Sequence, residues 1–343
     1  MDRLRTAGVR RRACRALLRP VHDAAVHPFD LGGAMGRPSS CLAAAMRRLT
    51  PAARAAAIFA ALAAPSLGLA HSGDTAHHWW TFDPWVWVPL ALFIALYSKG
   101  VVSMRKKHRA SSLLRAGPLG AFFLGTTGLF LALIWPLDAL GEISFAAHMA
   151  QHMVLIAFSA PLLVLARPSV PLALALAGWW PRTFDWFARL RKLTQPLLRP
   201  SVAFAVHAAV IWVWHAPVLF DAALRRPWLH TVEHLSFVAS AMLFWAAIGG
   251  DRAAGAGASG MAALWSLVTL MHTGMLGALI TFAPRLLYSP NGAAAGLALT
   301  PMEDQQLAGL IMWIPTALCY LVAGLGFAAG CLRQAACDKP PRF

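Results

Sequence analysis

The sequence has few charged residues for its length. Lysine, arginine, aspartate and glutamate make up 13% of the 343 residues, whereas hydrophobic residues make up 58%. A soluble domain usually carries about a quarter charged residues, and a membrane-spanning helix needs about 20 mostly apolar ones. The composition therefore indicates an integral membrane protein and excludes an ordinary soluble domain.

Cysteine is also scarce. The chain has five cysteines with no CxxC spacing, at Cys14, Cys41, Cys319, Cys331 and Cys337. This excludes both a disulfide framework and a thiolate copper carrier. If the protein handles a metal, imidazole, thioether and carboxylate groups must bind it.

Common catalytic motifs are missing as well. A zinc-protease helix needs HExxH, yet Met149 follows His148 and Thr231 follows His230. Neither GxSxG nor a Walker-type phosphate loop is present. A seven-helix zinc-dependent membrane hydrolase stays open because it also uses an HxxxH pair, although the second apolar segment offers only Asp138 as an additional ligand.

Seven apolar stretches are long enough to cross a bilayer. The sequence thus predicts an all-α integral membrane protein, a seven-transmembrane-helix bundle over residues 84–333. The predicted spans are Pro84–Met104, Gly117–Leu137, Ser144–Ala166, Ser201–Phe220, His230–Gly250, Met261–Pro284 and Gln305–Leu332.

Basic residues predict the orientation, since loops rich in lysine and arginine stay in the cytoplasm. The loops on one side, with Arg333 and the tail over residues 334–343, carry fifteen such residues, and the loops on the other side carry three. We expect the N-terminus outside, the C-terminus in the cytoplasm, and a multi-pass location in the bacterial inner membrane. The net charge of +16 is mostly this bias plus the N-terminal extension, so no nucleic-acid partner is indicated.

The first seventy residues have a different character. Residues 1–45 form an arginine-rich extension that is either disordered or not translated, which makes Met46 the expected start. Residues 46–70 have the charged, apolar and small-residue parts of a signal peptide, with cleavage expected after Ala70. An uncleaved eighth helix is the alternative. Residues 71–83 form a short histidine-rich segment, expected in the periplasm.

Two histidine pairs are the most informative motif. His148 and His152 are four residues apart, as are His230 and His234. Four residues are about one helical turn, so each pair lies on one face of its helix. Both pairs open a long apolar segment at the same predicted depth, where ionisable groups are functional candidates.

Further metal-binding groups are predicted at the same side of the membrane. Thioethers with imidazoles suit copper(I), imidazoles alone suit copper(II), zinc or haem iron, and carboxylates can orient the rings by hydrogen bonds. We therefore predict a copper site. The candidate ligands are His148, His152, His230, His234, His272, His215, Met149, Met153, Met271 and Met275, with Glu233, Glu303 and Asp304 as orienting carboxylates.

Four segments resemble the multi-spanning cytochrome c oxidase assembly factor family known as CtaG. They read HMAQHMVLIAFSAPLLVLARP, WLHTVEHLSFVASAMLFW, LMHTGMLGALITFAPRLLY and MEDQQLAGLIMWIP, and the resemblance runs from about Trp85 to Leu332. It implies a non-enzymatic metallochaperone of the respiratory chain that helps haem-copper oxidases acquire copper. The implied partners are an oxidase subunit, a periplasmic copper donor and the lipid bilayer.

Two other functions remain open from the residues alone. Histidines on two helices at one depth can hold a haem between them, as in a membrane cytochrome. A copper permease would need polar groups through the membrane, and His207 and Lys99 are the inward candidates. A lone histidine such as His207 is otherwise interpreted as an interhelical hydrogen-bonding residue.

Overall fold

A computed structural model describes residues 83–106, 112–180, 182–249, 256–289 and 299–338. Up to Ala336, these residues belong to one compact unit over residues 76–336. The arginine-rich extension, the expected signal peptide and residues 71–82 of the histidine-rich segment lie outside the described residues. Residues 339–343 of the expected tail also lie outside them.

The described residues form twelve α-helices and no strand. A 3₁₀ turn lies at Ser112–Leu114, and a π-helical segment lies at Val154–Ser159. The α-helices are α1 (Pro84–Lys106), α2 (Ala116–Leu133), α3 (Leu137–Gly141), α4 (Phe145–Met153), α5 (Ala160–Ala166), α6 (Ser169–Ala177), α7 (Thr183–Thr194), α8 (Pro200–Trp214), α9 (Pro217–Arg225), α10 (Pro227–Gly249), α11 (Ala256–Thr281) and α12 (Pro301–Asp338).

The protein is an all-helical, multi-pass membrane protein, as predicted. Among the described residues, six helical segments are long and apolar enough to cross a bilayer: α1, α2, the continuous run from α4 to α5, α10, α11 and α12. A seventh span exists if α8 and α9 are counted together. The described residues therefore contain six or seven candidate membrane spans. The predicted class, a helical membrane protein, is confirmed at this level.

The fourth predicted span is not one straight helix. α8 and α9 meet at a bend of 72° instead of forming the continuous helix predicted over residues 201–220. Pro217 is the first residue of α9, and Ala216 before it is extended, because the proline ring disfavours helical geometry in the preceding residue. The bend places His215 at the break between the two helices.

The segment predicted as a long loop between the third and fourth spans contains two helices, α6 and α7. α6 packs against α1, where Gly100 lies so close to the Pro171 backbone that a larger residue could not fit. The Lys99 ammonium lies 3.8 Å from the centre of the Trp179 ring, a cation–π contact. Lys99 thus has a local partner and is not part of a path through the bundle.

The π-helical segment follows the histidines of α4 directly. In its i→i−5 hydrogen-bond register, Pro161 has no N–H to donate to the Ile156 carbonyl. The Trp245 indole of α10 donates to that carbonyl instead, at 3.3 Å. The proline thus leaves the Ile156 carbonyl without its helical partner, and the bond from Trp245 ties α4–α5 to α10.

Glycine permits close packing between α11 and α12. A Cβ atom on Gly277 would lie 2.9 Å from the Gly309 carbonyl oxygen. One on Gly309 would lie 2.7 Å from the Gly277 carbonyl and would also meet Thr281. Such distances to backbone atoms cannot be relieved by a side-chain rotation, so the two helices touch only because both positions are glycine.

Gly309→Ala should therefore force α11 and α12 apart and lower the stability of the detergent-solubilised protein by about 1–3 kcal/mol. Gly326→Ala on the same helix is the matched control, because a Cβ there meets nothing within 4 Å. Thermal unfolding of both variants measures the effect. Equal melting temperatures for the two variants would contradict the packing argument.

Candidate metal centre

Helices α4 and α10 bring four potential metal ligands to one point. His148 and His152 come from α4, and Glu233 and His234 come from α10; one ligand atom from each lies within 4.8 Å of the others. All four side chains are buried. Two imidazoles one turn apart on α4 thus face an imidazole and a carboxylate that are adjacent in the sequence of α10.

Two more imidazoles extend this group. The His230 ring centre is 4.1 Å from that of His234 and 5.2 Å from that of His148. The His215 ring centre is 6.2 Å from that of His152. The five rings form what we call the histidine cluster: His148, His152, His215, His230 and His234.

Most ring nitrogens that face the interior of the cluster have no hydrogen-bond partner. Buried nitrogen or oxygen atoms without such a bond occur on Glu233 and on all five histidines of the cluster. An unsatisfied buried polar atom costs about 1–3 kcal/mol, and proteins rarely leave several together. A cation bound among His148, His152, Glu233 and His234 would take one ligand atom from each and so remove much of this cost.

Glu233 faces the cluster directly. It is fully buried, and one carboxylate oxygen lies 3.7 Å from His152 Nε2, too far for a hydrogen bond. Neither oxygen has a hydrogen-bond partner. A buried carboxylate needs a proton or a cation to neutralise it, so its position suits a ligand better than the ring-orienting role expected from the sequence.

His215 is oriented by the bend between α8 and α9. Its Nδ1 lies 2.7 Å from the Ile211 carbonyl and donates to it, which leaves Nε2 as the nitrogen with a lone pair. The Tyr288 hydroxyl donates to the His215 carbonyl at 2.9 Å. One residue at the break is thus held at both its ring and its backbone.

Aromatic rings cover the His148 side of the cluster. The centres of the Phe145, Phe220 and Tyr288 rings lie 4.6–5.1 Å apart, and the Phe220 ring lies edge-on to His148 at 5.1 Å. Asp221 accepts hydrogen bonds from the backbone and hydroxyl of Ser289, which holds α9 to the loop after α11. This side of the cluster is closed to water.

Asp304 caps the helix that carries the first histidine pair. Its carboxylate accepts hydrogen bonds from the Ser144 hydroxyl at 2.7 Å and from the backbone N–H groups of Phe145 at 2.7 Å and Ala146 at 3.0 Å. A carboxylate at a helix N-terminus also interacts favourably with the helix dipole. Asp304 therefore orients the α4 histidines through the backbone and has no hydrogen bond to their rings.

Glu303 has a different role from its neighbour. It is exposed, and its carboxylate accepts hydrogen bonds from the backbone and hydroxyl of Thr300 at 2.7 and 2.8 Å. The Thr300 hydroxyl in turn accepts from the Glu303 N–H at 3.3 Å. This is a capping box that starts α12, and it does not bring Glu303 to the histidine cluster.

The four predicted methionine ligands have different surroundings in the structure. Met149 and Met153 are buried on the adjacent face of α4, where they belong to the apolar core, and the Thr316 hydroxyl donates to the Met153 sulfur. Met271 and Met275 are 64% and 53% exposed on α11. Their roles as copper ligands remain predictions from the sequence.

His272 lies apart from the cluster. Its ring packs edge-on against Phe204 at 5.5 Å, and neither ring nitrogen has a hydrogen-bond partner. On the same helix as Phe204, His207 bonds Ser240 at 3.0 Å and Tyr320 at 3.3 Å. His207 is thus the interhelical hydrogen-bonding residue expected from the sequence.

Sequence reasoning missed Gln151, which lies between the two histidines of α4. Its side-chain amide donates to the Ala132 carbonyl at 2.7 Å and to the Asp138 carboxylate at 3.0 Å, so it fixes α4 against α2 and α3. The signal was a polar amide inside an apolar segment, which is costly unless it is bonded. Gly141 permits the close approach of the Gln151 side chain, since a Cβ at residue 141 would lie 3.2 Å from the Gln151 Oε1.

Comparisons with known proteins found one matching family and several relatives. A family model described as cytochrome c oxidase caa3 assembly factor matches residues 95–334. Uncharacterised proteins of Mycobacterium bovis and Mycobacterium tuberculosis are each 30% identical over 180 residues, and one of Mycobacterium leprae is 31% identical over 180 residues. These alignments cover 50% of this chain but only 27% of each relative. No solved structure matches the chain.

Asp304→Asn should loosen the start of α4, because the amide bears no charge and accepts fewer hydrogen bonds. We expect a loss of about 1–3 kcal/mol in stability. Glu303→Gln removes the same charge one residue earlier, at an exposed cap, and should cost less stability than Asp304→Asn. Chemical denaturation of the two variants measures the difference; a larger loss in Glu303→Gln would contradict the assigned roles.

Proposed function

The chain belongs to the cytochrome c oxidase caa3 assembly factor family, and we propose that it binds copper and helps to deliver it to the active site of a haem-copper oxidase. The observation that carries this proposal is the convergence of His148, His152, Glu233 and His234 within 4.8 Å. Family membership supports the oxidase as partner, and the converging ligands support the metal. The role is that of a metallochaperone and not of an enzyme.

The ligand set favours a divalent copper ion as cargo. Three imidazoles and one carboxylate suit copper(II) better than copper(I), which prefers thioethers and thiolates. Met271 and Met275 are exposed on α11, and the Met153 sulfur accepts a hydrogen bond from the Thr316 hydroxyl. Among first-row divalent ions, copper(II) binds such nitrogen and oxygen ligands most strongly.

We further propose that the site faces the periplasm of a bacterial inner membrane. The excess of lysine and arginine in the loops and tail at the other end of the predicted spans supports this orientation. Seven spans, with α8 and α9 forming one bent span, give an N-terminus outside and a C-terminus in the cytoplasm. The site would then receive copper from a periplasmic donor and pass it to an oxidase subunit.

A haem between the helices fits this geometry less well. A bis-histidine haem needs a flat slot between two rings, whereas here four ligand groups converge on one point and the neighbouring ring centres are only 4.1–5.2 Å apart. The cluster is therefore sized for an ion.

A zinc site is the second candidate, because three histidines and a glutamate also suit zinc. The hydrolase version of this alternative has less support. Ser144, a hydroxyl close to the α4 histidines in sequence, donates to Asp304 and serves as the N-cap of α4. The Asp138 carboxylate accepts a hydrogen bond from the Gln151 amide. The serine and the aspartate that a hydrolase would use thus both make structural hydrogen bonds.

The double substitution His148→Ala with His152→Ala should lower copper occupancy about tenfold or more while the protein stays folded, since it removes two of the four ligands. Metal analysis and an absorption spectrum of the purified protein measure this. Met261→Leu is the control, because this exposed methionine of α11 is not among the candidate ligands, and it should keep its copper.

Unchanged copper in the double histidine variant would contradict the site. A Soret band in the wild-type spectrum would show a bound haem, and the protein would then be a cytochrome. Zinc in place of copper would favour the second candidate.

Glu233→Gln tests whether the carboxylate is a ligand. The amide keeps the size of the side chain but removes its charge, so a ligand role predicts about tenfold weaker binding of a divalent ion. Competition with a chelator of known affinity measures it. Wild-type affinity in this variant would restrict Glu233 to an orienting or purely structural role.

A further inference from the structure

Burial within the histidine cluster is uneven. His148, His152, His215 and His234 are between 0% and 7% exposed, whereas His230 is only partly buried. Its Nε2 nevertheless has no hydrogen-bond partner and lies inside the protein. Among the five clustered rings in the described residues, His230 is therefore the one that has both an accessible part and a nitrogen facing inward.

The other sides of the cluster are closed by apolar side chains. Phe220, which packs edge-on against Phe145 and Tyr288, covers His148. The fully buried Phe237 ring lies 4.6 Å from that of His152. A hydrated ion would have to displace these rings to reach the four-group site from their sides, whereas on the His230 side the imidazole itself is partly exposed.

A carboxylate lies on the His230 side. Asp138 is close enough to His230 for the two groups to interact electrostatically, and the Gln151 amide fixes its carboxylate at 3.0 Å. A fixed negative charge beside an accessible imidazole attracts a divalent cation. Gln151 belongs to the same helix turn as His148 and His152, so this carboxylate is positioned by the helix that supplies the site.

The distances between imidazole rings connect His230 with the four-group site. His230 neighbours His234 at 4.1 Å and His148 at 5.2 Å, and both of these belong to the four-group site. Residues four apart on α10 are separated by about 6 Å along the helix axis. An ion can therefore move from an outer to an inner position while it keeps His148 and His234 as ligands.

We propose that His230, with His148 and His234, forms an outer copper position that loads the inner one made by His148, His152, Glu233 and His234. This inference rests on the proposed copper-binding function. Copper(II) exchanges His230 for His152 and Glu233 in this step, with no change of oxidation state. His230 then governs the rate of loading, while His152 and Glu233 govern the final affinity.

The test is stopped-flow mixing of copper(II) with the purified full-length protein, followed by quenching of its tryptophan fluorescence, together with equilibrium competition against a chelator. His230→Ala and the larger His230→Gln should load about tenfold more slowly, with the wild-type stoichiometry and less than about threefold change in affinity. His152→Ala should keep a fast, weak binding phase and lose the tight one. Thr231→Ala, at an exposed position next to His230 on α10, should change neither.

Each other outcome has a definite meaning. Wild-type loading rates in both His230 variants would overturn the outer position and leave the copper site itself intact. Loss of tight binding in the folded His230 variants, to the level of His152→Ala, would make His230 a permanent ligand and also overturn the inference. Wild-type protein that binds no copper would overturn the proposed function itself, a result distinct from the first two.

Discussion

The hydrogen bonds from the start of α4 to Asp304 are the contact on which the candidate site depends most. The Asp304 carboxylate, at the beginning of α12, accepts from the Ser144 hydroxyl and from the first N–H groups of α4. It thereby sets both the position and the start of the helix, and the start of a helix determines which face its later residues present. Because His148 follows only a few residues later, a slip at this cap would turn the first histidine pair away from α10.

Polar groups in the bundle fall into two sets. His207 and Asp304 each make hydrogen bonds that join helices, so their burial is compensated. The histidine cluster and Glu233 retain unpaired atoms at similar burial. Leaving several such atoms together costs stability, and proteins retain that cost mainly where the groups bind something. The contrast within one bundle is what sets the cluster apart from ordinary interhelical hydrogen bonding.

Irregular backbone surrounds the cluster on several sides. The π-helical segment follows His152, and the bend between α8 and α9 holds His215. Each irregularity is compensated by a side chain from another helix or loop: Trp245 bonds the Ile156 carbonyl, and Tyr288 bonds the His215 carbonyl. In a bilayer such breaks are tolerated only where protein groups satisfy the freed backbone, so they fix the site geometry and do not loosen it.

The sequence alone determined the helical class, the approximate spans, the family and the two histidine pairs, because apolar length and a four-residue spacing are properties of single helices. Residues in similar sequence surroundings have different roles, and only the tertiary structure determined those roles. Asp304 caps α4 whereas its neighbour Glu303 caps its own helix, and Glu233 faces the histidines directly. Met271 and His272 do not reach the cluster. Spacing fixes which residues share a helix face, but which faces meet depends on contacts between helices distant in sequence, such as glycine packing, proline bends and caps.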